Sequence, residues 1–380
     1  MSWETKSLNN IITFQRGFDL PKSKFKDGTY PVVGSTGIIG YHSQFKVCAP
    51  GVVTGRSGTL GVFQYLEEDF WAHNTSLWVK DFQDNNPKFI YYFLHQFDFK
   101  NLNGGVAVPT LNRNILSSIN VKYPKSLQTQ KRIADILSAY DDLIENNLKR
   151  IKLLEQAAQN IYKEWFVNLR FPGHENTPIN EETGLPEGWE EKTISDVMEY
   201  KVDNRGRNPK YYTKSGIPVI DNHLIKNSPH IDFSKTKRYI DDDLFDVFIR
   251  RYLKKDDVLI TLVGTVANIS LAPKEKSVII QNTIGIRCNE FCTQEYMYCF
   301  LGANKTKIQN KNRGAAQPSV KVGDLTGMKM VIPNNELLNN FSKEIKTMFS
   351  LIQTLGKQNS QLKAARDILL PRLMNRTIEV

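Results

Sequence analysis

A heptad ladder across positions 130 to 166 constrains this chain more than anything else in it. Ile133, Leu137, Tyr140, Ile144, Asn147, Ile151, Leu154, Ala158, Ile161 and Trp165 step alternately by four and three, and no Pro or Gly interrupts them. So narrow a stripe calls for a partner helix, not a broad globular core. The partner lies in the same chain. Phe341, Ile345, Met348, Ile352, Leu355, Asn359, Leu362, Arg366, Leu369 and Leu373 repeat the ladder at a constant offset. Antiparallel packing in full register sets Ile133 against Leu373 and Asn147 against Asn359. A buried amide is costly alone and tolerable when paired, so the two asparagines would fix the register.

The rest of the chain is also written twice. Trp3, Leu8 and Ile12 are echoed by Trp189, Ile194 and Met198. GVVTGRSGTLG from Gly51 corresponds to DVLITLVGTVA from Asp257, with Gly58-Thr59 on Gly264-Thr265. HNTSLWV aligns with QNTIGIR, matching Asn74-Thr75 to Asn282-Thr283, and YYFL at 91–94 matches YCFL at 298–301. Gly105 and Pro109 answer Gly314 and Pro318, while Pro124 and Pro333 each precede a seam helix. Alternating β-branched and aromatic runs between glycine clusters mark each copy as β-rich, with one helical run, at 87–97 in the first copy. The Pro- and Gly-bearing stretch 168–188 fits a surface connector. The fold class expected is α+β: two β-rich domains in pseudo-twofold arrangement, joined by two long helices packed as an antiparallel coiled coil.

With 380 residues there is room for two cores, and 40% hydrophobic with 24% charged residues is ordinary for a soluble protein. MSWETKSLNN has no signal-peptide pattern and no apolar run nears 18 residues, which predicts a cytoplasmic protein. The net charge of +10 points to a polyanionic partner. Cys48, Cys288, Cys292 and Cys299 have no His close enough in sequence to complete a zinc set, so small buried thiols are expected and no metal site.

Catalytic signatures are missing. Gly356-Lys357 lacks the upstream loop of a Walker motif, and Asn86-Pro87-Lys88-Phe89 lacks the second proline of an amino-methyltransferase tetrad. Gly34, Gly37 and Gly40 are wrongly spaced for a dinucleotide fingerprint. His73 has no nucleophile or carboxylate motif beside it and reads as a hydrogen-bonded residue at a strand start. No catalytic residue is therefore expected. Basic and amide residues instead gather in loops: Lys22, Lys24 and Lys26; Arg56; Asn112 and Arg113; Asn204 to Asn208 with Lys210; then Lys305, Lys307, Lys311 and Arg313. Lys and Arg neutralise phosphates, and Arg, Asn and Gln make paired bonds to base edges in the major groove.

Trp165-Phe166 leading into RFPGHE (170–175) and LPEGWE (185–190), together with the C-terminal ILLPRLMNRTIEV, resembles the specificity subunit of type I restriction-modification systems along nearly the whole chain. Asn375-Arg376 departs from the Ser-Gly pair that many members carry after the Met. The resemblance implies target recognition domains at 1–125 and 189–334, a central spacer helix at 126–167, the connector at 168–188, and a second spacer helix with its tail at 335–380. It implies that each domain reads half of a bipartite double-stranded DNA site, that the spacer sets the gap, and that two adenine-N6 methyltransferase subunits dock on it. Two ATP-dependent restriction subunits can join them. No cofactor is expected on this chain; S-adenosylmethionine belongs to the modification partner, and ATP and Mg to the restriction partner. The solvent faces of both helices and the connector are the partner-facing candidates.

On that resemblance the DNA-contacting candidates are Lys22, Lys24, Arg56, Ser57, Asn112 and Arg113 in the first domain. In the second they are Arg205, Arg207, Asn208, Lys210, His223, Arg313 and Gln317, with Gly104, Gly105 and Gly314 allowing close backbone approach. The seam from 133 to 165 covers about 48 Å at 1.5 Å per residue, against roughly 34–36 Å between half-sites on one DNA face. Two other classes compete: a methyltransferase or nuclease with an unrecognised site, which would be active alone with S-adenosylmethionine or metal, and a scaffold that retards no duplex.

Overall fold

The computed structural model describes residues 3–56, 61–97, 119–206, 209–314 and 316–380. The chain divides into two compact units. One comprises Met1–Leu143 with Leu362–Val380, the other Ile144–Gln361. The division falls inside both long helices.

In the first unit β1 (Trp3–Ser7) pairs antiparallel with β9 (Asn120–Pro124), so the two ends of the first sequence copy close on each other. A four-stranded sheet runs in the order β2 (Thr13–Arg16), β8 (Ser76–Asp81), β5 (Gly51–Gly55), β6 (Phe63–Leu66). A smaller sheet has β3 (Tyr30–Gly34) between β4 (Gly37–His42) and β7 (Trp71–Ala72). Helix α1 (Pro87–Leu94) begins where Asn86 Oδ1 accepts from Phe89 N at 2.8 Å, with Pro87 at the first helical position. Its buried Phe89, Ile90, Phe93 and Leu94 share a core with Ile133, Leu137, Leu373 and Met374.

The second unit repeats the plan, which is the duplication expected from sequence. Strand β10 (Glu190–Thr193) pairs antiparallel with β17 (Lys329–Ile332). The four-stranded sheet runs β11 (Met198–Val202), β16 (Thr283–Cys288), β14 (Val258–Thr261), β15 (Ile269–Leu271): outer, last, middle hairpin, as before. Helix α4 (Gln294–Ala303) follows the sheet as α1 does, capped by Thr293 Oγ1 on Tyr296 N at 3.3 Å. The copies diverge between their first two sheet-forming stretches. Here the second unit carries the short pair β12 (Ile217–Pro218) and β13 (Tyr239–Ile240) with helix α3 (Asp242–Phe248). Two short helices, α5 (Lys305–Gln309) and α6 (Val322–Thr326), complete the unit.

The first long helix, α2, spans Leu127–Tyr162, and the expected continuation to 166 is instead a wider π-type turn over Lys163–Val167. The extra residue in that turn lets Phe166 face inward, with ring centroids 4.8 Å from Tyr296 and 4.9 Å from Phe341. The other long helix, α7, spans Asn335–Met374 and is capped by Asn334 Oδ1 on Leu337 N at 2.9 Å. In the second unit the antiparallel register holds. Asn147 Nδ2 donates to Asn359 Oδ1 at 3.0 Å, both residues being buried, and Trp165 meets Phe341 at 5.8 Å between ring centroids. The amide of Asn359 also reaches Ile144 O at 3.4 Å. In the first unit the seam is less apolar than the ladder suggested. Arg366 forms an ion pair with Asp141, whose other oxygen accepts from Tyr92 Oη at 2.6 Å. A charge at a seam position is tolerable because a neighbouring carboxylate and a tyrosine enclose it.

Of the four thiols, Cys292 and Cys299 are buried, Cys288 is half-buried and Cys48 is exposed. The expectation of buried thiols therefore fails at Cys48, which belongs to the turn before β5. Among the described residues no group of three or more His, Cys, Asp or Glu is placed to hold a metal ion. Nor is any described helix long and apolar enough to cross a membrane.

Two stability predictions follow from the long helices. Asn147→Leu strands the Asn359 amide and should cost about 1–3 kcal/mol in urea unfolding, whereas Asn147→Leu with Asn359→Leu should fall within about 1 kcal/mol of the parent or above it. A double variant as unstable as the single one would show that the pairing is incidental. Glu155 on α2 has Oε1 buried without a hydrogen-bond partner, and desolvation raises its carboxyl above the ordinary range, partly offset by Ser228. A carboxyl raised on folding weakens the fold once pH exceeds its unfolded value. Glu155→Gln should thus stabilise the fold at neutral pH and gain nothing in acid, where the carboxyl is protonated folded and unfolded alike; a gain that does not depend on pH would contradict this.

Candidate nucleic-acid interface

The two sheets present the same edge geometry. In the first, Arg16 pairs with Leu77 and Gly55 with Ser76, so the ends of β2 and β5 and the start of β8 lie together. In the second, Val202 pairs with Gly285 and Thr261 with Thr283, which brings the ends of β11 and β14 to the start of β16. Among the described residues, the segments that follow β2, β5, β11 and β14 leave from this end of each sheet.

In the first unit Arg56 follows β5 directly, and its backbone N–H donates to Thr75 O at 2.9 Å. Arg16 Nε donates to Asn74 O at 3.4 Å, and Asn74 is bonded through Nδ2 to Asp19. His73 touches Thr75 Oγ1 at 2.9 Å through Nδ1 and Leu20 O at 3.2 Å through Nε2, which is the hydrogen-bonded histidine read from the sequence. Leu20 leads into the exposed 3-10 turn Lys22–Lys24. Gly17 has no room for a side chain, since a Cβ would stand 2.1 Å from His73 O. Arg56 and Leu20, which lies two residues before Lys22, are thereby both tied to one turn, residues 73–75. Ser57, Asn112 and Arg113 lie outside the described residues, as do Gly58, Thr59, Gly104, Gly105 and Pro109.

In the second unit Arg205 is engaged before any ligand arrives. Its Nε and Nη2 donate to the two oxygens of Asp203, each at 2.8 Å, which leaves Nη1 and the second Nη2 proton for a partner. His223, exposed on the 3-10 turn Asn222–Leu224, has Nε2 3.0 Å from Lys235 O. The preceding Asn222 donates to Val263 O at 2.6 Å, and Gly264 N donates to Pro318 O at 2.8 Å. The space beside Gly264 is bordered by Asn222 and by the exposed Gln317. His223 and Gln317, 94 residues apart in the numbering, thus belong to one cluster. Arg313 is exposed and pairs with Asp324 at 2.8 Å, a surface contact weak enough for a phosphate to displace. Lys210 is exposed, and Arg207 and Asn208 lie outside the described residues.

Three sequence expectations change here. Asn204 is buried and structural: Nδ2 donates to Arg251 O and Ile279 O, and Oδ1 accepts from Arg251 N. Lys305 is partly buried on α5, donates to Asn268 Oδ1 at 2.9 Å, and has its ammonium pKa lowered by desolvation. Gly314 is explained by its own turn, because a Cβ would lie 1.9 Å from Gln317 O. Sequence reasoning missed Arg16 and Asn222. Arg16 could have been found as a basic residue between a strand and a glycine; Asn222 carries no local signal.

The chain can be placed among known proteins. It is 26% identical over 286 residues to the type I restriction enzyme MjaIX specificity subunit of Methanocaldococcus jannaschii, a match covering 72% of this chain and 64% of that protein, so under two thirds of that relative is spanned. The type I restriction enzyme HindI specificity subunit of Haemophilus influenzae is 22% identical over 330 residues, covering 70% of this chain and 71% of that one. The fold is similar to the crystal structure of the type I restriction-modification S subunit from M. genitalium, with a TM-score of 0.64, 16% identity, and 98% and 96% of the two chains covered. The family model for the type I restriction modification DNA specificity domain matches residues 1–156 and 186–364. With most of both copies matched and the duplicated architecture in place, this chain belongs to the family of type I restriction-modification specificity subunits.

Proposed function

We propose that this chain is the DNA-reading subunit of a type I restriction-modification complex, with domains 1–125 and 189–334 each recognising one half of a bipartite site. The observation that carries the reading is the repeated sheet end, where loops rich in Lys, Arg, Asn and Gln are anchored at equivalent places in two copies of one fold. A split asymmetric site needs two similar platforms with dissimilar loops. The helices at 126–167 and 335–380 act as the spacer, and their outer faces with the connector 168–188 dock two adenine-N6 methyltransferase subunits. Two restriction subunits complete the nuclease form. S-adenosylmethionine, ATP and Mg act in those partners, and this chain makes no bond itself.

The direct test is co-expression with the neighbouring methyltransferase and genome-wide mapping of N6-methyladenine. The expected result is one bipartite motif with a fixed gap; a well-formed complex that methylates no such motif would sink the proposal. Two further outcomes distinguish the parts. Adding one matched heptad to both helices, about 10 Å, should lengthen the permitted gap by about three base pairs while leaving the half-site sequences alone. An unchanged gap would end the ruler idea. Lys22→Ala with Lys24→Ala should weaken binding across sequences and flatten its salt dependence, whereas Gln317→Ala should relax a single base position. Identical behaviour of the two variants would remove the division between phosphate and base contacts.

A further inference from the structure

The loops at 17–50 and 203–257 differ in length, yet each is tied to a threonine hydroxyl at the start of the last strand of its sheet. In the first unit Thr75 stands just before β8. Its Oγ1 accepts from Ser35 N at 3.3 Å and lies 2.9 Å from His73 Nδ1. With its hydroxyl proton given to Nδ1, His73 keeps a proton on Nε2 to donate to Leu20 O at 3.2 Å. One hydroxyl thus holds two points of the 17–50 loop, one directly and one through the imidazole. In the second unit Thr283 opens β16 and is buried; its Oγ1 donates to Asn222 Oδ1 at 3.1 Å. The other end of that amide donates to Val263 O, so the hydroxyl fixes the residue next to His223 against the end of β14. The internal alignment pairs these threonines, but the ladders shift the match by one residue: Gly55 pairs with Ser76 where Thr261 pairs with Thr283, so the two loops reach the sheet end through neighbouring, not identical, positions.

We infer that Thr75 and Thr283 are positioning residues that set base discrimination, each for the half-site read by its own domain. The inference rests on the proposed function. Neither hydroxyl has to touch DNA. Each removes a degree of freedom from a loop whose side chains must meet base edges within a few tenths of an ångström, and loosening it widens the set of bases those side chains accept. Phosphate contacts, made by long mobile lysines, tolerate the same loosening.

The test uses the complex of the full chain with its methyltransferase and competition binding against duplexes substituted singly in either half of the mapped site. Thr283→Val should lower discrimination about tenfold in one half-site, leave the other half-site and the salt dependence unchanged, and be rescued by Thr283→Ser. Thr75→Val should do the same in the opposite half. Asn222→Leu, which removes the Thr283 bond from the loop side, should reproduce the Thr283→Val pattern. Retained discrimination in both halves, or equal loss in both accompanied by a lower melting temperature, overturns the inference. So does a Thr283→Val chain that fails to assemble while Asn222→Leu behaves as wild type. A wild-type complex with no bipartite preference at all would instead refute the proposed function.

Discussion

The hydrogen bond between Asn147 and Asn359 decides how the seam can be read. An apolar heptad seam is degenerate: sliding one helix by a heptad buries nearly the same area, and each Leu or Ile is worth about 1.5–3 kcal/mol in either register. Two buried amides break that degeneracy. In register they satisfy one another at 3.0 Å; one heptad out, both face hydrocarbon at a cost of about 1–3 kcal/mol each. The pair adds little to stability and a great deal to uniqueness. For a helix pair proposed to measure distance along DNA, uniqueness of register is the property that matters, because a slipped register would be a different ruler.

The same division between a fixed frame and an adjustable part runs through each recognition unit. The frame is the sheet order of outer, last and middle hairpin, a capped helix after it, and the closing strand pair β1–β9 or β10–β17. Its core is apolar and its backbone groups are paired in the ladder, so it leaves few polar groups for recognition. The adjustable part is the inserted loop. A loop alone makes a poor reader, since ordering it on binding would consume the interaction energy that discriminates bases. Both copies answer this with buried or half-buried polar tethers at the sheet end: His73, Asn74 and Thr75 in one, Asn222 and Thr283 in the other. Charge is tethered too, since Asp203 holds Arg205 in a forked pair before any ligand is present.

Much of the frame was legible in the sequence because it is periodic or repeated. The ladders named the two helices and the asparagine register, and the echo of Trp3 in Trp189 and of YYFL in YCFL named the duplication, whereas the match of Asn74-Thr75 to Asn282-Thr283 is one residue out of step with the strand pairing. The π-type turn at Lys163–Val167 was not legible, because its cause is tertiary: Phe166 has to reach Tyr296 and Phe341. Nor was the partnership of Arg366 with Asp141 and Tyr92, which converts a seam position into a polar contact. At the candidate site the sequence supplied residue types but not their neighbours. Asn204 and Arg205 are adjacent and look alike in a loop; one is buried on Arg251 and Ile279 and the other is half-exposed on Asp203. Only packing distinguishes a structural amide from a reading one.

That distinction also limits how specificity can change. If Gln317 and His223 read bases as proposed, a substitution at either alters a single reader while the frame that aims it stays intact. On the proposed function, replacement of a whole loop is equally contained, provided the new loop finds a bond at Thr75, just before β8, or at Thr283, which opens β16. The second unit meets that requirement with an amide from a 3-10 turn and the first with an imidazole and a backbone N–H, so the anchor accepts chemically different loops. A platform that fixes the attachment point and leaves the loop free to vary would, on the proposed function, make new half-site readers without rebuilding the core, and each of the two copies could do so by itself.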